Sequence, residues 1–204
     1  DVVDSPVHRA LAREAAVKSI VLLKNAGNLL PLAKDTGKIF VVGPNAANIE
    51  ILLGNYHGVN PRLVTVLEGI TEKIGPASSV NYKTGCLPDR FSPNPNISAA
   101  GQPVKGDVVI AVMGISPLFE NEEGDAILSP SGGDRDDIGL PENQMGYLRA
   151  LAAGPSKLVV VLAAGCALAI PEVHEIADAV LYIWYAGEEG GNAAADVIFG
   201  DACP

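Results

Sequence analysis

The sequence predicts an α/β domain: a three-layer sandwich with a mostly parallel central sheet and helices on both faces. Three observations lead there. Residues 39–42, 108–113, 158–162 and 179–184 are nearly unbroken apolar runs rich in Val, Ile, Leu and Ala, as strands covered on both faces must be. Helical stripes lie between them, and strands joined through helices run parallel by right-handed crossovers. Glycine-bearing turns follow the runs, at Gly43-Pro44, Gly114, Gly165 and Gly187. No internal repeat is visible, and 204 residues suit one fairly large domain.

The elements follow in order. Ser5 can cap a first helix over residues 8–19, with Pro6 at its opening position and Ala12, Ala16, Ile20 and Leu23 on one stripe. Residues 20–23 form a short apolar run broken at Lys24-Asn25-Ala26-Gly27-Asn28. The strand at 39–42 is followed by a possible helix over 46–53, a helical stretch at 67–74 and a short strand at 80–82. Prolines 88, 93, 95 and 103 make the next segment an irregular surface excursion. The strand at 108–113 leads into a long polar loop. A helix over 141–152 turns Met145, Leu148 and Leu151 inward, and strands at 158–162 and 179–184 precede a last helix over 191–199. The runs at 39–42, 108–113, 158–162 and 179–184 are expected to be neighbours at the centre of the sheet.

Composition narrows the function. With 48% apolar residues the chain can bury a core without a metal or disulfide staple. A net charge of -10 argues against nucleic acid or an anionic membrane as partner, since both require clustered Lys and Arg. No apolar run reaches the length of a membrane-spanning helix. Cys86, Cys166 and Cys203 lack metal-ligand spacing and leave the compartment open, and Cys166, in an apolar run, reads as a buried hydrophobe. Asn96-Ile97-Ser98 is a glycosylation sequon.

In such folds functional loops lie beyond the carboxyl ends of the strands. Four qualify, starting at Gly43, Gly114, Ala163-Ala164-Gly165 and Tyr185-Ala186-Gly187. Gly43-Pro44-Asn45-Ala46 lacks the glycine spacing of a dinucleotide site, and its proline removes a donor, so a plain strand-to-helix turn is expected and no cofactor. Glu188-Glu189 at a helix start already satisfies the dipole. A nucleophilic Cys166 would need a histidine partner, and His8, His57 and His174 form no recognisable arrangement, for that chemistry or for zinc.

The loop over residues 114–140 stands apart. It far exceeds the usual connection length, and residues 120–137 carry seven carboxylates against the single base Arg135. Repulsion among them favours an open loop. Asp134, Asp136 and Asp137 do not match a calcium loop. An acidic run is commonly only a solvated surface, but Glu120, Glu122 and Glu123 sit directly after a strand end. Such an acid can protonate a glycosidic oxygen. Hydrolysis needs two carboxyl groups flanking the bond, however, and neighbours in one loop supply one half of a site.

An ordered set of motifs adds to this. Ser19-Ile20-Val21-Leu22-Leu23-Lys24-Asn25 with Leu29-Leu30-Pro31-Leu32 resembles the opening of the second domain of glycoside hydrolase family 3. The resemblance continues through Val42-Gly43-Pro44-Asn45-Ala46, Leu53-Gly54-Asn55-Tyr56, Leu67-Glu68-Gly69-Ile70, Gly85-Cys86 and the stretch from Gly114 to Glu123. Gly133-Asp134-Arg135, Leu140-Pro141 and the stretch from Trp184 to Asn192 complete it. The resemblance implies a retaining exo-β-glycosidase of the β-xylosidase or β-glucosidase type, acting on terminal β-linked sugars. Its first domain, a (β/α)8 barrel, carries the Asp nucleophile, and the sandwich domain lends the acid/base. By motif match Glu120 is that acid/base and Glu122 its alternative. Residues 1–204 are then expected to be the sandwich domain without its barrel, nucleophile or full C-terminal tail, and inactive alone. The expected partners are a β-linked oligosaccharide or glycoside and the barrel of the same polypeptide. The rival reading, a non-catalytic carbohydrate-binding or structural domain, has no use for acids at a strand end.

Overall fold

The computed structural model describes residues 2–92, 108–122, 124–129, 131–133 and 135–204. The sequon at Asn96, the later part of the proline-rich excursion, Glu123 and Asp134 lie outside these. Six strands form one sheet: β1 (Val21–Asn25), β2 (Lys38–Val42), β3 (Ser79–Lys83), β4 (Val108–Gly114), β5 (Lys157–Ala163) and β6 (Ala179–Tyr182). Their order across the sheet is β1-β6-β5-β4-β2-β3. The four apolar runs are adjacent and parallel, as expected, and only β1 is antiparallel, paired to β6.

Helices cover both faces. On one side α1 (Pro6–Ser19), α2 (Glu50–Leu53), α3 (Val66–Lys73) and α6 (Gly190–Ile198) pack with Ile110, Val112, Val159 and Val161. On the other, α4 (Glu142–Ala152) and α5 (Pro171–Ile176) pack with Val109, Met113, Val160 and Leu162. Neighbouring strand residues therefore feed opposite cores, which is why these strands read as continuously apolar.

Local chemistry sets the helix starts. The Ser5 hydroxyl accepts from His8 N at 3.3 Å, with Pro6 opening α1. Thr65 and Glu68 form a reciprocal capping box at α3: Thr65 Oγ1 accepts from Glu68 N, and Glu68 Oε2 accepts from Thr65 N at 2.7 Å. Helices α3 and α6 approach so closely that a Cβ on Gly191 would stand 1.9 Å from the Thr65 carbonyl oxygen. Only glycine fits there.

Some elements depart from the sequence reading. Of the run at 20–23, Ile20 caps α1 and the rest belongs to the edge strand β1, whose Val21, Leu22 and Leu23 remain partly exposed, which blurs its pattern. The run at 179–184 leaves the sheet after Tyr182, because Trp184 adopts a left-handed φ of 59°. Only Glu50–Leu53 of the stretch 46–53 is helical; Asn45 O accepts from Asn48 N and Asn48 Oδ1 from Glu50 N, turning the chain first. Helix α5 buries only Val173, too little to leave a stripe.

The buried Asp196 of α6 ties the outer helices together. Arg13 of α1 grips it bidentately, Nε to Oδ2 and Nη2 to Oδ1, both 2.6 Å, and Lys73 of α3 donates to Oδ1. Burial opposes its charge, but Arg13 and Lys73 outweigh that and hold the carboxyl below its ordinary value. Lys34 and Lys73 likewise lower Asp201 to about 2. A depressed folded pKa stabilises above the unfolded carboxylate range, near pH ~3.9, and the contribution disappears as pH falls through the folded value. We expect Asp196→Asn to cost ~2 kcal/mol at pH 7, less than a fully buried pair because Arg13 reaches solvent. Urea unfolding should show that deficit shrinking towards pH 2; an equal deficit at both pH values would place its origin in packing rather than charge.

Candidate active site

The chain runs from β2 outward to β3 and returns to β4 on the other side of β2. Strand order therefore reverses between β2 and β4, the place where a crevice opens at the carboxyl edge of a parallel sheet. An open cleft of about 900 Å³ lies at that edge. All four loops expected to matter reach it: Asn55 arrives after β2, Glu120 and Glu122 after β4, Gly165 and Cys166 after β5, and Tyr185 after β6.

The loop after β4 is fastened at its root. Gln144 of α4 is fully buried; Gly114 N donates to its Oε1 at 2.9 Å, and its Nε2 donates to Gly114 O at 2.7 Å and Pro88 O at 2.8 Å. Ile115 N donates to Ala163 O at 2.9 Å. The buried Asn45 donates from Nδ2 to Ile115 O at 3.4 Å, so the Gly43-Pro44-Asn45 turn braces the acidic loop. Repulsion alone would open this loop, yet its described residues fold back. Leu128 N donates to Leu118 O, Gly124 N donates to Gly132 O, and Ala126 is fully buried.

The two candidate carboxylates occupy different environments. Glu120 Oε1 accepts from Tyr185 OH and from Gly165 N, each at 2.5 Å. Its Oε2 is buried, without a geometric hydrogen-bond partner among the described residues. Gly165 permits this approach, since a Cβ there would stand 2.8 Å from the Tyr185 ring and 3.0 Å from Glu120 Oε1. Burial first, then Glu120, holds the Tyr185 phenol far above its ordinary value, so it remains a donor. Glu122, two residues on, is exposed. Its backbone N donates to Asn121 Oδ1 at 2.8 Å, and its carbonyl accepts from Asp125 N at 2.9 Å. Its carboxylate reaches the exposed Tyr56, whose phenol it raises above the usual value.

Cys166 is half-buried and lines the cleft rather than filling the core, because the strand has already ended at Ala163. Burial first, then the Glu120 carboxylate, pushes its thiol up, against the opposing pull of Arg135. A thiol so held is a poor nucleophile. Arg135 Nη1 lies 3.3 Å from Cys166 Sγ, and Nη2 donates to Gly139 O at 2.6 Å. Glu188 and Glu189 are engaged by Arg9, as acids at a helix start would be in a structural role. Among the described residues no group of three or more His, Cys, Asp or Glu side chains could hold a metal ion. Sequence reasoning missed the buried Gln144 and the tyrosines beside the two carboxylates, Tyr56 and Tyr185. A tyrosine directly after a strand end was the signal available for Tyr185; Gln144 left none, sitting among apolar helix positions.

The chain is similar to known proteins along nearly its whole length. Over 206 residues the chain is 38% identical to a β-xylosidase of Formosa agariphila, covering 97% of this chain and 27% of that protein. It is also 38% identical to a periplasmic β-glucosidase of Salmonella typhimurium, covering 98% of this chain and 28% of that one. The chain thus spans about a quarter of the length of these curated relatives. Among solved structures, a β-glucosidase from Listeria innocua in complex with isofagomine superposes with a TM-score of 0.80 at 29% identity, over 98% of this chain and 26% of that one. A family 3 exo-β-xylosidase in complex with a xylobiose aziridine probe gives 0.79 at 31% identity, over 96% and 24%. The model of the glycosyl hydrolase family 3 C-terminal domain matches residues 20–204, and the chain belongs to that family.

Proposed function

We propose that this chain supplies the general acid/base of a retaining exo-β-glycosidase acting on terminal β-xylosyl or β-glucosyl residues, with the nucleophile contributed by a barrel domain of the same polypeptide. The observation that carries the reading is an exposed glutamate at the mouth of the cleft, on the loop after the central strand. A retaining mechanism needs its two carboxyl groups about 5–5.5 Å apart across the scissile bond. An acid on a projecting loop can meet a nucleophile presented by another domain. Relatives at equal identity are a β-xylosidase and a β-glucosidase, so both sugars belong in the test.

Burial favours Glu122 over the motif-matched Glu120 as the group that meets the substrate. A general acid must come within about 2.6–3.2 Å of the oxygen it protonates. One oxygen of Glu120 is occupied by two donors and the other is buried. Nothing can approach the latter unless the side chain leaves its seat. Glu122, exposed on the cleft lining, can make that approach without leaving its place.

Azide separates the assignments. In the full-length parent, Glu122→Ala should leave glycosylation by dinitrophenyl glycosides nearly intact. Deglycosylation should slow by about 10²–10⁴-fold. Azide, needing no base, should restore turnover and give a β-glycosyl azide. Azide rescue of Glu120→Ala in its place would move the role to Glu120, and two unimpaired variants would reduce the loop to an acidic surface.

The isolated 204-residue chain should hydrolyse no aryl β-xyloside or β-glucoside above background, because no residue in it can replace the covalent route. Turnover by the purified chain that one of its own carboxylates controls would overturn the two-domain reading.

A further inference from the structure

We propose that Glu120, Tyr185 and Gly165 form an anchor that positions the acid/base, with Tyr185 a positioning residue acting through Glu120. This rests on the assignment of Glu122 above. Glu120 belongs to the loop after β4, Gly165 to the loop after β5 and Tyr185 to the loop after β6, so one carboxylate oxygen ties together three strand ends.

Each part is built for that contact. The left-handed turn at Trp184 redirects the chain as it leaves β6. A bulky residue at such a φ persists only where its surroundings hold it. Trp184 Nε1 donates to Ser19 O at 3.0 Å, and its ring packs 4.7 Å from that of Tyr182. Gly165 has no side chain where one would collide with both partners. From this anchor the chain reaches Glu122 through Asn121 alone. Asn121 takes the Glu122 N–H, and Asp125 N–H takes its carbonyl, so the Glu122 backbone is held from both sides. An acid two residues from a fixed point is confined; released from it, the loop would carry Glu122 away from the glycosidic oxygen.

The anchor needs an acceptor at position 120 but not a charge. A carboxamide oxygen can accept from both Tyr185 and Gly165, whereas a carboxamide cannot act as an acid. In the full-length parent, Glu120→Gln should therefore keep wild-type activity within about threefold, since both hydrogen bonds survive. Glu120→Ala and Tyr185→Phe should each lose about tenfold or more in kcat/KM on alkyl glycosides, where departure depends on a well-aimed proton, and far less on dinitrophenyl glycosides. Gly165→Ala tests the seat independently and should give the same dependence on leaving group.

Losses equal across leaving groups, or none in Tyr185→Phe and Glu120→Ala, would overturn the anchor while Glu122→Ala with azide rescue still upheld the acid/base assignment. Glu120→Gln as impaired as Glu120→Ala, with azide rescuing both, would make Glu120 the acid/base and overturn the anchor. A Glu122→Ala variant with normal deglycosylation would bring down the underlying reading instead.

Discussion

The structure depends on the burial of β4 between β2 and β5. All seven of its residues, Val108–Gly114, are buried, with parallel partners on both sides. A strand in that position has no water to satisfy its amides, so its hydrogen bonds must go to neighbours in register. Val108, Ile110 and Val112 feed one core and Val109, Ala111 and Met113 the other. Each large side chain so buried contributes about 1.5–3 kcal/mol. Parallel pairing then has a consequence beyond stability. Strands that run the same way end at the same edge, so the loops after β2, β4, β5 and β6 converge whatever their sequences.

The acidic loop uses that convergence. Its root is held by backbone and amide groups of Gln144, Asn45 and Ala163 rather than by salt bridges. Hydrogen bonds of this kind are insensitive to salt, and the described carboxylates of residues 120–137 have no lysine partner. The cations are spent elsewhere: Arg9, Arg13, Lys34 and Lys73 serve Glu188, Glu189, Asp196 and Asp201 around α1, α3 and α6. The one arginine within the acidic stretch, Arg135, is turned to the Gly139 carbonyl and the Cys166 sulfur. The cleft therefore keeps its negative character. Under the proposed function, such a cleft would admit an uncharged sugar and would favour positive charge developing on its ring.

Burial raises two of the three thiols. Cys86 is pushed up to about 12 by burial, and Cys166 is raised by burial and by Glu120. Sequence placed Cys166 in the core and the fold places it at the cleft. The difference arises because Cys166 follows the glycine turn at Gly165, beyond the end of β5 at Ala163, so the apolar residues before it do not make it part of the core.

The sequence by itself determined the layered α/β fold, the four central strands, the four loops that reach the cleft and the loop that holds the carboxylates. Those features are local: apolar runs, capping residues and turn glycines act over a few neighbours and leave their pattern in the chain. It did not determine that β1 pairs antiparallel at the edge, because partly exposed positions blur the period that would reveal it. By motif it placed Glu120 ahead of Glu122, but it could not give their surroundings. Two carboxylates two residues apart look alike in a sequence, and only the arrival of Gly165 and Tyr185 from other strands buries one and leaves the other exposed. That difference is set by contacts spanning 45 and 65 residues, which exist only once the sheet has brought its strand ends together.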